Sequence, residues 1–288
     1  MAGLIAVFEM LNAQPALLVV LSGVLGLLVG SFLNVVIHRL PHMMERELRE
    51  QCAWLQGEEA PADAPAFNLF WPPSTCPHCG HRIRWYENIP LVSWLYLRGR
   101  CSACQAGIAA RYPLVELLTG GFFALAASVW SGLPLVWVWV FLSALLALTF
   151  IDFDTHLLPD SVTLPLVWLG LLANMNGVFV TLEEAVVGAV AGYLSLWSVY
   201  WLFRLLTGKE GMGFGDFKLL AAIGAWLGWK LLLPVVLVAS VAGALIGGTL
   251  MLLRRQERDN PIPFGPWLAL GGVVALFNGP AFLRFWLG

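Results

Sequence analysis

Charge is what this 288-residue chain has least of. Lys, Arg, Asp and Glu together make up 12% of it, about half the share of a soluble domain, which excludes an ordinary water-soluble globule. A net charge of −2, with no basic tail or stripe, offers nothing to nucleic acid. No HExxH pair occurs, so a zinc metalloprotease of that type is excluded. GxGxxG is absent too, and residues 38–112 show no strand–glycine loop–helix pattern of a soluble nucleotide-binding fold. No internal repeat or low-complexity tract is evident. Cysteine is scarce as well: of the five, four fall in one short stretch.

Apolar residues fill the space left by charge. They account for 59% of the chain, with a mean hydropathy of +0.78. Runs near the roughly 20 residues needed to cross a ~30 Å hydrocarbon core recur along most of it. Eight candidate spans fall near 16–37, 113–131, 135–151, 161–177, 184–206, 217–229, 233–253 and 264–285. The expected fold is therefore an all-α polytopic membrane protein with about eight transmembrane helices. The sixth span is the least certain, being short and carrying Gly224 and Gly228. The leading residues, MAGLIAVFEMLNAQP, have no basic n-region and no small-residue cleavage site. The first run is accordingly expected to be a retained span and not a signal peptide.

Residues 38–112 break the apolar pattern, holding 8 of the 16 Lys and Arg and 7 acidic residues. They are expected to form an extramembrane domain between the first and second spans. The chain then divides into 1–37, the first helix; 38–112, the polar domain; and 113–288, seven further helices. EEAPADAP at 58–65 reads as a surface loop. With the polar domain in the cytoplasm, 14 basic residues lie inside and 2, Lys230 and Arg284, outside. The positive-inside rule selects that orientation, with both chain ends outside.

Within the polar domain, Cys76-x2-Cys79 and Cys101-x2-Cys104 are separated by 21 residues. Two such knuckles fit a tetrahedral four-thiolate zinc site. Gly80 follows the first pair and Gly99 precedes the second, where a close turn needs permissive backbone. Two disulfides or four idle thiols are the alternatives, and a reducing cytosol disfavours the disulfides. Four sulfurs leave no open position for water, so the metal's role is expected to be structural. Cys52 falls outside the pattern, and His78 and His81 read as surface residues.

Charges at a membrane are costly and point to function. Glu116 follows Arg111 closely and is expected to neutralise it. Asp160, after a proline, reads as a helix N-cap, and Asp154 as a solvated loop residue. Asp152 ends the third span, and Asp216, in GMGFGD, opens the sixth, 64 residues later. On the eight-span topology both lie at the cytoplasmic face. Two carboxylates held close cannot both ionise, and such a pair can activate water and protonate a peptide oxygen. An N-cap role is the alternative for Asp216, and spacing alone does not separate Asp152 from Asp154 as its partner.

Gly213-Phe214-Gly215-Asp216 matches the GxGD signature of intramembrane aspartic proteases. With IDFDTHLLPD at 151–160, the paired CxxC domain and GSFLNVVIHRLP at 30–41, the chain resembles the type IV prepilin peptidases along nearly its whole length. It is most similar to the bifunctional leader peptidase and N-methyltransferase of Gram-negative type IV pilus and type II secretion systems. The resemblance implies cleavage of a short basic leader from prepilins and pseudopilins at the cytoplasmic face of the inner membrane, after a glycine. It further implies methylation of the new N-terminal residue from S-adenosylmethionine. It favours Asp152 over Asp154, making Asp152 and Asp216 the expected catalytic pair.

The methyl-donor site rests on resemblance alone. It is expected in the cytoplasmic domain or at its border, with Gly99, Glu87 and Asn88 as candidates. Gly213, Gly215 and, from PIPFGP, Pro263 and Gly265 are candidates for holding an extended substrate strand, their glycines allowing close approach. For PIPFGP a plain helix-start turn is the alternative. A proton-coupled transporter with a structural zinc domain is the competing function. It would place its ionisable residues near the bilayer midplane and show repeat symmetry, neither of which appears.

Overall fold

The computed structural model describes residues 14–57, 67–209, 211–252 and 263–287. The leading residues, the expected loop at 58–65, the Arg254, Arg255, Arg258 cluster and the first two residues of PIPFGP lie outside the described residues. The helices are α1 (Pro15–Leu55), α2 (Val92–Tyr96), α3 (Arg111–Ala127), α4 (Gly132–Thr155), α5 (Asp160–Asn174), α6 (Leu182–Thr207), α7 (Phe214–Leu227), α8 (Leu232–Leu252) and α9 (Gly265–Leu287). Among the described residues there is no strand, only isolated bridges joining Thr75 to Arg82 and Arg100 to Gly107.

Each expected span coincides with a helix. α1, α4, α6 and the stretches Trp229–Thr249 and Gly265–Phe285 are long and apolar enough to cross a membrane. The chain is a multi-pass helical membrane protein. α3, α5 and α7 have 17, 15 and 14 residues, and at ~1.5 Å per residue they fall short of a ~30 Å core by themselves. α1 does not end near residue 37: it runs through Pro41 to Leu55, 41 residues in all, so its polar second half continues the apolar first. Hydropathy reports where lipid stops, whereas helix continuity depends on backbone propensity, and residues 42–55 are good helix formers.

The chain forms two compact units, Met1–Ala147 and Leu148–Gly288. In the first, small residues let α1 and α3 approach. A Cβ added at Gly26 would come within 2.7 Å of the Thr119 carbonyl, and one at Gly30 within 2.7 Å of the Glu116 Cα. The GSFLN stretch continues this seam, with Asn34 donating to the Tyr112 carbonyl at 3.0 Å. Beyond it, Arg39 donates to the carbonyls of Asn68 and Pro72. The motif thus ties the extramembrane segment to the helix pair. Glu116 belongs to the same tie: its buried carboxylate accepts the backbone N–H of Leu91 at 2.8 Å.

In the second unit, α7 is the axis. From Asp216 to Leu227 every residue except Lys218 is buried, as an all-round apolar helix requires. The shortest expected span is therefore the most enclosed. α6 crosses it backbone to backbone: Gly188 and Gly224 face each other so closely that a Cβ on either would strike the other's carbonyl. On its other side Trp226 donates to the Leu166 carbonyl of α5 at 2.8 Å. Buried Asn174 closes the far end, donating to the carbonyls of Ala225 and Trp226 and accepting the N–H groups of Phe179 and Val180. At that end Lys230 pairs with Glu184 at 2.6 Å. At the opposite end Lys218 pairs with Asp160. Successive helices of this unit therefore run in alternating directions.

Replacing Gly188 by Val should lower the thermal unfolding midpoint in detergent, by the equivalent of about 1–3 kcal/mol for an overpacked contact. Gly121→Ala, where an added Cβ meets nothing within 4 Å, should leave it unchanged. Equal midpoints for Gly188→Val and the unsubstituted protein would show that the α6–α7 crossing is not close-packed.

Candidate active site and metal centre

Two helices deliver the two carboxylates. Asp152 lies in the last turn of α4 and is 5% exposed; Asp216 lies in the first turn of α7 and is 7% exposed. The α7 N-cap is Gly213, so Asp216 is the third helical residue and not the cap. The Oδ2 of Asp152 accepts the backbone N–H of Gly265, the first residue of α9, at 3.1 Å. Leu158 stands between these helix ends. A Cβ on Gly215 would lie 2.7 Å from Leu158 Cβ, and a Cβ on Gly265 would lie 2.6 Å from Asp152 Oδ2 and 3.1 Å from Leu158 Cδ1. The end of α4 and the starts of α7 and α9 thus meet around Leu158.

The other acidic residues of the stretch separate from this pair. Asp154 lies two residues further along α4 and is exposed. Asp160 does not cap α5: the cap is Pro159. Its carboxylate instead takes the Lys218 ammonium at 2.6 and 2.7 Å, and a charged partner outweighs an N–H already within reach of the first turn. Of the glycines singled out in sequence, Gly213 sits 3.8 Å from Asp216 Oδ2, by its ideal Cβ, and Gly215 packs on Leu158. Pro263 is half-buried just before α9. Gly265 spends its N–H on Asp152, a contact that no local pattern announces.

In the first unit the four sulfurs of Cys76, Cys79, Cys101 and Cys104 lie within 4.8 Å of one another. Cys76 and Cys104 are 3.9 Å apart, and Cys79 and Cys101 are 4.0 Å apart. A tetrahedron with ~2.3 Å metal–sulfur bonds has sulfurs about 3.8 Å apart, so the set fits a metal ion. Each knuckle turns in the same way. Gly80 N–H returns to the Cys76 carbonyl at 2.9 Å and Gln105 N–H to the Cys101 carbonyl at 3.0 Å, both residues having positive φ, 69° and 60°. The second turn therefore bends at Gln105. The backbone N–H groups of Cys104 and Ala103 hold the Cys101 thiol down at about 6. At Cys79 the amide of His81 favours the thiolate, yet burial and the three neighbouring sulfurs push it up to about 12. A cation among the four sulfurs would favour the thiolate at each of them.

Residues 24–130 match the Bacterial Peptidase A24 N-terminal domain, and residues 139–248 match the Type IV leader peptidase family. A prepilin leader peptidase/N-methyltransferase of Stutzerimonas stutzeri is 56% identical over 277 residues, covering 94% of each chain. Proteins of the same name from Aeromonas hydrophila and Pseudomonas aeruginosa are 54% and 51% identical, each over 97% of both chains. The chain belongs to the type IV leader peptidase family. No solved structure matches it.

For a family whose relatives are named for two activities, the residues expected to hold a methyl donor fall in different surroundings. Glu87 lies in the 3-10 turn Trp85–Asn88, its carboxylate accepting the Arg84 backbone N–H at 2.8 Å. That bond, with Ser102 and His81, draws it down to about 2, so it is ionised at neutral pH. Asn88 is exposed. Gly99, at φ 67°, packs under Trp94, where a Cβ would strike the ring at 2.9 Å. His81 is no bystander: its Nε2 lies 3.2 Å from Glu87 and 3.3 Å from the Ser102 hydroxyl. Cys52 and His78 are exposed and stand outside the sulfur cluster.

Because a Cβ at Gly265 would displace Asp152 Oδ2, Gly265→Ala should slow leader cleavage by about 10- to 100-fold, the scale of an ångström misplacement. Gly213→Ala, with only an ordinary contact to make, should keep most activity. A cleavage assay on both variants checks this, and equal rates would remove Gly265 from the site.

Proposed function

We propose that this chain is a membrane aspartic endopeptidase that cuts the leader from type IV prepilins and type II secretion pseudopilins and then methylates the exposed N-terminus. Asp152 and Asp216 are its catalytic pair. The observation that supports the reading is that these two buried aspartates, 64 residues apart in sequence, sit on helix ends that converge on Leu158.

The chemistry follows from two adjacent carboxyl groups sharing one proton. The ionised one takes a proton from water as the water oxygen bonds to the scissile carbonyl carbon. The protonated one gives its proton to the carbonyl oxygen. The tetrahedral adduct then collapses, the C–N bond breaks, and the departing nitrogen takes up a proton. Products are the leader with a new carboxylate and the pilin with a free amine. Enclosure by α4, α7 and α9 keeps bulk water from the pair, which strengthens each of these interactions.

S-adenosylmethionine, when bound, would supply the electrophilic methyl group for the new amine. Glu87 would help to hold the donor, while Gly99 shapes the turn beneath Trp94. Zinc is the metal the four sulfurs suit, held in a closed and therefore structural site. The excess of basic residues on the polar-domain side, 14 against 2, supports an inner-membrane protein with both sites facing the cytoplasm. The transporter reading is not favoured, since its relatives are peptidases and the acidic pair sits at helix ends.

Asp152→Asn and Asp216→Asn should each abolish prepilin cleavage while the protein stays folded and inserted. Full processing by either variant in detergent extract would refute the pair. Both variants should still methylate a pre-cleaved pilin, measured by incorporation of label from S-adenosylmethionine; failure would mean that one site serves both steps.

Protein purified without chelators should carry about one zinc per chain by elemental analysis, the content of a single closed site. Cys76→Ser should lose it and expose residues 67–110 to protease. Absence of zinc from the unsubstituted protein would contradict the assignment.

A further inference from the structure

The apolar stripe of α1 does not end with α1. Leu21, Val24, Leu25, Leu28 and Phe32 are exposed, and their three- and four-residue spacing puts them on one side of the span, the side lipid covers. At the end of that stripe the Phe70 ring stacks on the Phe32 ring, centroids 6.3 Å apart. Phe70 comes from the extramembrane segment and not from a span. It is 82% exposed, and its neighbour Trp71 is 57% exposed. The chain reaches this point by running back along α1. Phe67 lies under the guanidinium groups of Arg39 and Arg46, and Asn68 and Pro72 give their carbonyls to Arg39. Phe32 is seven residues before Arg39, about 10 Å nearer the middle of the span. Residues 67–72 thus descend from the charged part of α1 to its apolar part, where hydrocarbon and not water is the medium.

What bars an irregular loop from lipid is its backbone, because polar groups left unpaired there are costly. In this loop they are largely paired. The side-chain oxygen of Asn68 accepts the N–H groups of Phe70 and Trp71 at 2.8 and 2.7 Å. The Asn68 N–H donates to the Trp71 carbonyl at 2.8 Å, and Pro72 has no N–H to satisfy. Arg39, itself buried, takes two further carbonyls at 2.9 and 2.7 Å. A protein partner would bring donors and acceptors of its own and would not require this closure. Lipid brings none, and does.

We infer that residues 68–72 form a membrane-seated loop, with the Phe70 and Trp71 side chains entering the leaflet beside α1. They sit at the edge of the hydrocarbon, where aromatic residues gather. The occupant of this surface is phospholipid, continuous with the lipid along the stripe of α1. The first cysteine knuckle begins four residues after Pro72, and Glu116 holds Leu91 between the two knuckles. The four-cysteine segment is therefore held against the membrane at two places. This inference rests on the chain being a multi-pass membrane protein and on neither of its catalytic activities.

Photocrosslinking tests the loop. The photoreactive residue p-benzoylphenylalanine replaces Phe70, Trp71 or Trp54, one at a time, in the full chain reconstituted into vesicles of phosphatidylethanolamine and phosphatidylglycerol. Adducts are read by mass spectrometry after irradiation, and leader cleavage beforehand reports whether each variant is folded. Trp54 is the reference: it is 78% exposed but lies 22 residues beyond Phe32 on α1, about 33 Å further along the helix. The Phe70 and Trp71 variants should gain the mass of a phospholipid, and the Trp54 variant should not. Should the probe at Phe70 abolish cleavage, the Trp71 variant decides. A cleaving variant without lipid adducts at the loop overturns the inference, as do equal lipid adducts at Trp54. Adducts to a co-reconstituted prepilin in place of lipid would also overturn it, assigning the surface to protein.

Discussion

Close backbone contact between α6 and α7 is the constraint from which the second unit follows. Inside a bilayer, lipid is as apolar as leucine, so helices associate through close packing and not through expulsion of water. Gly188 against Gly224, Gly192 against the Leu220 carbonyl, and Gly170 against the Trp226 ring remove the side chains that would hold the helices apart. α7 sinks into the middle of the unit as a result. Its first turn carries Asp216 out of contact with lipid and water alike, a position that an isolated helix would not give a carboxylate.

Burial alone would leave Asp152 free to choose among rotamers. The Gly265 N–H removes that freedom. A helix start has N–H groups without intrahelical partners, and the first of α9 is met by Asp152 instead of by water or a cap. The cost of ordering the carboxylate is thus shared with the need to satisfy a backbone donor. Leu158, wedged against Gly215 and Gly265, fills the remaining space without adding a polar group. Lys218 and Asp160 tie the same end of α5 and α7 together at the surface, where a charge pair stabilises little by itself but sets which turns stand side by side.

The extramembrane segment solves the opposite problem. It has little apolar material to bury, and Pro90 and Cys101 are among its few buried residues. Its order comes from polar closure: two matched knuckles, a 3-10 turn secured by Glu87, and anchoring to the membrane helices through Glu116 and Arg39. The GSFLNVVIHRLP stretch, noticed in sequence only as part of a resemblance, is the anchor. Gly30 and Asn34 fasten α1 to α3, and Arg39, beyond them on α1, holds the carbonyls of Asn68 and Pro72 in the segment.

The sequence by itself determined the helices, the grouping of four cysteines and the candidate pair of aspartates. Lipid imposes a length and a composition on each span, two CxxC knuckles bring four sulfurs within reach of one ion, and an acidic residue in an apolar run calls for a reason. All three are local demands, written in neighbouring residues. It could not say that α1 runs on past residue 37, because hydropathy is blind to helix continuity. Nor could it show Asp160 turned toward Lys218 in place of its own helix start, Glu116 holding Leu91, or Gly265 holding Asp152. Those partners lie 58, 25 and 113 residues apart. Only the packing of helices, governed by which faces carry no side chain, decided which distant backbone groups and charges would meet.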